Sequence, residues 1–464
     1  MQSDLLDRDA TCRFFGGTRP INPATLYRGV RKGRYPKPIK VGPGSSRWLR
    51  SECEAALARM AEGRAALSTY FYQGEWSQWN GAFYEKATEQ RLTDMACSYM
   101  DRAKVKSDEG STIRFRPTTR DVSSLVTFLR SNVGLDDRTT PPRWLDGRAS
   151  PNPAELLAFR NYLVDVTTGK TYDHDPRLWM HDGVAFDYDP KARCPTWEWF
   201  LKELFPTDEE VREAIEQQLG YGMTVDNQFE KAALWVGPAR SGRGTIARVQ
   251  ELLVGVNGYT SLDIHTWHRS EYSRQGMVGK RVGIFHDVRV KPGQFYGQKY
   301  DPGGVDPHSQ QLLLELISGD ATESGRKYLD AWKGTPFIKF LVISNKVLNF
   351  NDDVLITRFN TIEFERSFLG KEKPQLKKKI LPAEISGIAN RCIAAYGRLL
   401  RQGHFIQPAS GRALLNRIKA EVDPWTAFMD FYWEPDPTGK GTLHVGTELR
   451  RWSALSPGRN HRHC

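Results

Sequence analysis

The sequence predicts an α/β protein of several domains whose largest part is a parallel sheet, and three observations predict it. The 464 residues exceed what one hydrophobic core usually serves, so two to four domains are expected. Short apolar runs at Leu234–Val236, Val282–Phe285 and Ile338–Ile343 have the length of buried strands. After the first of them Ile246, Val249, Leu252 and Leu253 recur at helical spacing, as in a helix lying on a parallel sheet. Finally, the stretch from Leu234 to Thr245 passes from an apolar run into a glycine-rich turn and opens a helix.

Composition bounds the function. Hydrophobic residues make up 39% and charged residues 26%, with a mean hydropathy of −0.55. That describes a globular chain, and no apolar run reaches the roughly 18 residues of a membrane span. The acidic start, Met1 to Asp7, lacks the charged and apolar regions of a secretory signal, so a cytoplasmic protein with no membrane partner is expected. Six cysteines lie scattered without a CxxC pair, which excludes a zinc knuckle or a disulfide framework. A net charge of +11 and a pI near 9.2 favour an acidic partner, and nucleic acid is the commonest one.

The charge concentrates at the front. Arg28, Arg31, Lys32, Arg34, Lys37, Lys40, Arg47 and Arg50 occur with no acid among them. Asp9 to Phe15 predicts a short helix closed by Gly16-Gly17, and Asn22-Pro23 supplies a cap and first-turn proline for a second. Pro36 and Pro38 prevent its continuation, and Ile39 to Trp48 suits a two-stranded wing ahead of a third helix from Ser51. These elements make a winged helix-turn-helix, with Arg28, Arg31, Lys32, Arg34 and Arg47 placed to contact duplex DNA. The aromatics that follow (Tyr70, Phe71, Tyr72, Trp76, Trp79, Phe83, Tyr84) are read as core, and nothing between there and the loop reads as a catalyst.

The loop Gly237, Pro238, Ala239, Arg240, Ser241, Gly242, Arg243, Gly244, Thr245 has the spacing that lets backbone N–H groups face a polyphosphate at a helix N-terminus. Arg243 stands where a phosphate-binding loop carries lysine, and its planar fork is not equivalent to an ammonium group. Thr245 is a potential Mg2+ ligand. The apolar run ending at Asp287 puts a carboxylate where a nucleotide-binding sheet orders magnesium, and Asn345 emerges at the end of a third strand, where it can orient water. Arg358 follows, and such an arginine serves a neighbouring subunit's γ-phosphate only in an oligomer.

Two resemblances attach to these residues. Thr25-Leu26-Tyr27-Arg28, Lys32 to Gly42 and Arg47-Trp48 resemble the excisionase and AlpA-type regulators of prophages, which implies an N-terminal DNA-binding domain over residues 1–64. Trp144-Leu145-Asp146-Gly147, Gly220-Tyr221-Gly222, the loop, Gly279-Lys280-Arg281, Ile317 to Asp320, Arg326-Lys327-Tyr328, Ser344-Asn345, Arg358-Phe359 and Ser367 to Glu372 resemble the helicase portion of phage and plasmid primases, a superfamily 3 branch of the AAA+ class. That resemblance implies a mainly helical collar over 65–215, an AAA+ ATPase core with a parallel sheet over 216–400 and an incomplete winged-helix-like segment over 401–464. It further implies a homo-hexameric, ATP- and Mg2+-dependent motor on single-stranded DNA, with Arg326 and Lys327 as the strand-touching pair of a central hairpin. The chain departs from the family at Arg243, at Gly319-Asp320, where one acid of a motif is missing, and at Val288, which follows Asp287 where a second acid would stand.

The resulting expectation is a DNA helicase/ATPase of a phage- or plasmid-type replication system. Its rival is a non-catalytic DNA-binding protein, either a regulator or a decayed helicase that binds ATP without hydrolysing it.

Overall fold

The computed structural model describes residues 5–16, 20–31, 35–42, 45–54, 56, 68–106, 112–137, 139–267, 271–289, 294–296, 299–301, 305–326, 329–348, 350, 352–376, 378 and 381–422. Within them, strand β1 (Leu5–Leu6), helices α1 (Arg8–Gly16) and α2 (Pro23–Arg31), and strands β2 (Ile39–Gly42) and β3 (Ser45–Leu49) form the front unit. Residues 50–54 are helical. The three strands pair antiparallel in the order β1-β3-β2. Asn22 Oδ1 accepts from the Ala24 N–H at 2.8 Å, so the chain enters α2 as its Asn-Pro pair predicts. Leu6, Cys12, Leu26, Trp48 and Cys53 are the core, and the Trp48 indole donates to the Pro36 carbonyl at 3.0 Å.

Residues 68–190, most of the expected helical collar over 65–215, mix helix with strand. Strands β4 (Thr69–Tyr72), β5 (Glu75–Trp79) and β6 (Tyr84–Ala87) form a sheet against α3 (Glu89–Met100) and α4 (Thr119–Asn132). Two more strands, β7 (Lys104–Lys106) and β8 (Thr112–Arg114), pair between those helices, and five short ones follow: β9 (Arg143–Trp144), β10 (Leu156–Ala158), β11 (Leu163–Asp165), β12 (Thr171–Tyr172) and β13 (Leu178–Trp179). The cause is local: the aromatics of Thr69 to Trp79 favour a pleated surface. Gln73 and Gly74, both at positive φ, make the turn whose twist suits a two-residue hairpin. These aromatics are core, as expected: Tyr70, Tyr72, Trp79 and Tyr84 pack around Trp179.

Helices α5 (Pro195–Leu204) and α6 (Glu209–Gly222) lead into the central sheet. It consists of β14 (Ala232–Val236), β15 (Tyr259–Leu262), β16 (Val282–Val288), β21 (Lys339–Ser344) and β22 (Phe359–Glu363), all parallel, in the order β15-β16-β21-β14-β22. Helix α7 (Arg243–Val254) crosses from β14 to β15. The segment between β16 and β21 carries the pair β17 (Gln294–Tyr296) and β18 (Lys299–Asp301), helix α8 (Pro307–Ser318) and the hairpin β19 (Thr322–Arg326) with β20 (Leu329–Gly334). Helices α9 (Asp353–Thr357), α10 (Ile385–Gln402) and α11 (Ala409–Val422) complete the described order.

Side chains alternate across the sheet. Ala232, Leu234 and Val236 join one core with Phe340 and Val342 beneath α8, while Trp235, Leu341 and Ile343 join another beneath α6, α7 and α10. Burial on both faces explains why these strands read as continuous apolar runs. Arg281, immediately before β16, is fully buried. It pairs with Asp182 and donates to the Met223 and Leu156 carbonyls, so a residue of the family-like Gly279-Lys280-Arg281 ties the preceding region to the sheet. Among the described residues no helix is long and apolar enough to cross a membrane.

Candidate nucleotide site

Register builds the site. In the parallel sheet Val236 lies opposite Ser344, and Ser344 lies opposite Val288. The loop after β14, Asn345 after β21 and Asp287 near the end of β16 therefore meet at one edge, where ligands of open α/β sheets gather. β14 sits between β21 and β22 while its own chain crosses away to β15, which opens the crevice there.

The loop's shape follows from its glycines. Gly237 is buried with its N–H on the Ser344 carbonyl at 3.2 Å, and a Cβ there would collide with the Phe364 carbonyl. Gly242 caps α7 at φ 92°, a region that suits glycine. No side chain caps that helix. Among the described residues, the N–H groups of Ala239, Arg240, Ser241, Gly242, Arg243 and Gly244 make no hydrogen bond to the protein. A row of open donors at a helix N-terminus is an anion-binding arrangement.

Arg243 is bonded throughout to the protein itself. Its guanidinium is buried and all five N–H donors are used: Nε on Ser241 Oγ (2.8 Å), Nη1 on the Trp235 (3.4 Å) and Ser344 carbonyls, and Nη2 on the Pro238 carbonyl (2.9 Å) and Asn345 Oδ1 (2.7 Å). Burial lowers its pKa, opposed by the charge of Asp287. Asn345 in turn donates from Nδ2 to Asp287 Oδ1 at 2.6 Å. Arg289 holds Asp287 Oδ2 at 2.7 Å. Asp287 itself sits at φ 49°, where pairing between β16 and β21 is irregular. The structure thus joins Arg243, Asn345 and Asp287, three residues singled out separately in the sequence.

Thr245 lines an open cleft of 590 Å³ beside the loop, together with Gly242, Arg240, Trp199, Phe200, Arg366, Phe368, Lys371, Lys373 and the carboxylates of Glu203 and Glu372. Apart from Arg240 of the loop, the sequence did not mark the aromatic and basic members of this lining as site residues. They come from α5, some forty positions before the loop, and from the strip after β22. That strip is held across the loop: the Phe364 N–H donates to the Val236 carbonyl (2.7 Å), Ser367 Oγ to the Ala239 carbonyl (2.8 Å) and the Phe368 N–H to the Arg240 carbonyl (3.0 Å). Lys373 Nζ stands 4.5 Å from the ring centroid of Trp199, itself 43% exposed. The only signal for this strip was the family-like run Ser367 to Glu372.

The Thr245 hydroxyl and the Asp287 carboxylate are oxygen donors of the type Mg2+ takes. Asp287 would have to exchange Arg289 for the metal. Among the described residues no cluster of three metal-ligating side chains exists, so any further ligands would have to come from phosphate and water.

The remaining expected residues lie elsewhere. Arg358 precedes Phe359, which pairs with Ala232 at the start of β14. It is therefore at the opposite edge of the sheet, about 16 Å along the strands, ion-paired with Glu230. Arg326, expected to touch a DNA strand, is buried; it donates to the Gln73 carbonyl at 2.8 Å and lies 4.0 Å from Glu75. On the front unit Arg28 and Arg31 are exposed and Arg47 is half-buried. Lys32, Arg34, Lys327 and the segment 423–464 lie outside the described residues.

Residues 64–206 match the family described as D5 N terminal like, the N-terminal region of primase-helicase proteins. Among solved structures, the chain is similar to the A form apo structure of the NrS-1 C terminal region, at 12% identity over 86% of this chain and 85% of that one, with a TM-score of 0.44. A second apo structure of that region gives 12% identity, 86% and 85% coverage and a TM-score of 0.45. A ligand-bound JCV helicase gives 17% identity over 52% of this chain and 60% of that one, with a TM-score of 0.30. These likenesses are distant, and the fold rests on the strand order and register of the central sheet.

Proposed function

We propose that the chain is an ATP-dependent DNA helicase/ATPase of a phage- or plasmid-type replication system. The observation that carries the reading is the row of open N–H donors from Ala239 to Gly244, set at the sheet edge where Asp287 and Asn345 converge. The parallel order β15-β16-β21-β14-β22 is compatible with an AAA+ core, and the D5-type match of residues 64–206 supports a replication context. In this reading the loop N–H groups bind the triphosphate of ATP, the aromatic and basic cleft receives the rest of the nucleotide, and Asn345 orients water. Thr245 and Asp287 hold Mg2+, which when bound neutralises charge on the phosphates. Arg358, remote from its own chain's loop, acts on a neighbouring subunit of a ring, for which a hexamer is the proposal. The front unit, with Arg28, Arg31 and Arg47 on its surface, grips duplex DNA.

The test is ATP turnover by the full chain with and without single-stranded DNA, beside binding of a non-hydrolysable ATP analogue with Mg2+. Turnover raised by single strands supports the motor; no analogue binding rejects it. The second reading, a DNA-binding protein that holds ATP without cleaving it, is favoured by one arrangement. Asp287 is tied to Arg289, and Val288 stands where a second acid would serve as general base. It predicts analogue binding with no phosphate release.

A further inference from the structure

We infer that Arg243 is a positioning residue, which pins the loop to the end of β21 and aims the Asn345 amide at Asp287, and is not a phosphate ligand. The inference rests on reading this site as a nucleotide site. Three observations carry it. The guanidinium is buried, and its five donors meet five protein acceptors drawn from β14, the loop, β21 and Asn345. Reaching a phosphate would require it to leave the Trp235, Ser344 and Pro238 carbonyls that it now holds together. A guanidinium has donors only, so its Nη2 fixes Oδ1 of Asn345 as the acceptor and leaves Nδ2 to point at Asp287 Oδ1. Arg243 thereby chooses which end of the amide faces the candidate metal and water positions.

A lysine could not do this. Its single ammonium carries three donors at one point, whereas the acceptors surround a plane. The substitution in this loop is then a change of job for the side chain, with phosphate binding left to the backbone N–H groups of the loop.

The test compares the full chain with Arg243→Lys, Arg243→Ala, Asn345→Ala and the Arg243→Lys/Asn345→Ala double variant. It measures nucleotide-free thermal unfolding, affinity for a non-hydrolysable ATP analogue with Mg2+, and turnover well below the unfolding temperature. A positioning role predicts that both Arg243 variants unfold at lower temperature without nucleotide. It also predicts that their analogue affinity changes less than about threefold while turnover falls about tenfold or more, and that the two sites are non-additive. Analogue affinity lost about tenfold or more with unchanged nucleotide-free unfolding, or turnover raised by Arg243→Lys, overturns the inference. If the wild-type chain binds no analogue, the nucleotide reading fails by itself. If it binds without turnover, or does not bind, coupling between Arg243 and Asn345 in nucleotide-free unfolding supports the clamp, and strict additivity rejects it.

Discussion

At Gly237 a methyl group would be driven into the Phe364 carbonyl, so the loop's first position is fixed by how closely the strip after β22 crosses it. Gly237→Ala should lower stability by about 1–3 kcal/mol, the usual range for forcing an extra methyl group into a packed site. It should also weaken binding of an ATP analogue, because the strip that closes the cleft must shift. Urea unfolding and analogue titration check this; an alanine variant equal to wild type in both would reject the close approach. Residue by residue, the sequence was informative where chemistry and spacing coincide: Arg243, Asp287 and Asn345 each stood out in an apolar-run context and do meet. It was silent on Trp199, Arg366 and Lys373, because a cleft lining drawn from α5 and from the strip after β22 has no spacing to read. Nor could it show how Arg243 is bonded, since only the surrounding acceptors reveal that every N–H is used.

Among the elements, the hairpin β19–β20 is tied down at one end. The bond from Arg326 to Gln73 ties its end to the β4–β5 turn. Arg326→Ala should detach it and destabilise the chain by about 1–3 kcal/mol, because the Gln73 carbonyl loses a charged donor. Hydrogen exchange of the β19 and β20 amides should accelerate while that of β14 and β21 stays unchanged; equal protection in both chains would reject the docking. The helix after the loop was legible because Ile246, Val249 and Leu253 are buried as their spacing predicts. The strands between Thr69 and Ala87 were not, because runs of four or five residues carry too little periodicity to separate them from helix.

Across the whole molecule, the long-range contacts also set a pH dependence. His181 packs on Trp179 at 4.3 Å between centroids, its Nε2 has no hydrogen-bond partner among the described residues, and burial pushes its pKa down to about 4 despite Asp182 nearby. An unfolded histidine titrates near ~6.5. Between the two values the unfolded chain binds more protons, so this contribution is fully present above about pH 6.5 and is lost as pH falls toward 4, by roughly 3 kcal/mol at most. Urea midpoints across that range should fall less steeply in His181→Gln; identical slopes would remove His181 as the cause. The sequence by itself determined that the centre is a parallel sheet with a phosphate-type loop at its edge, because apolar strands buried on both faces and glycines at a strand–helix turn are local properties. It also determined that the front is basic, since charge is read by counting. Only the tertiary structure decided which residues share the site and which way their donors point. Register across β16, β21 and β14 brings Asp287, Asn345 and Arg243 together over a hundred residues of chain, and the direction of a hydrogen bond depends on neighbours that no spacing encodes.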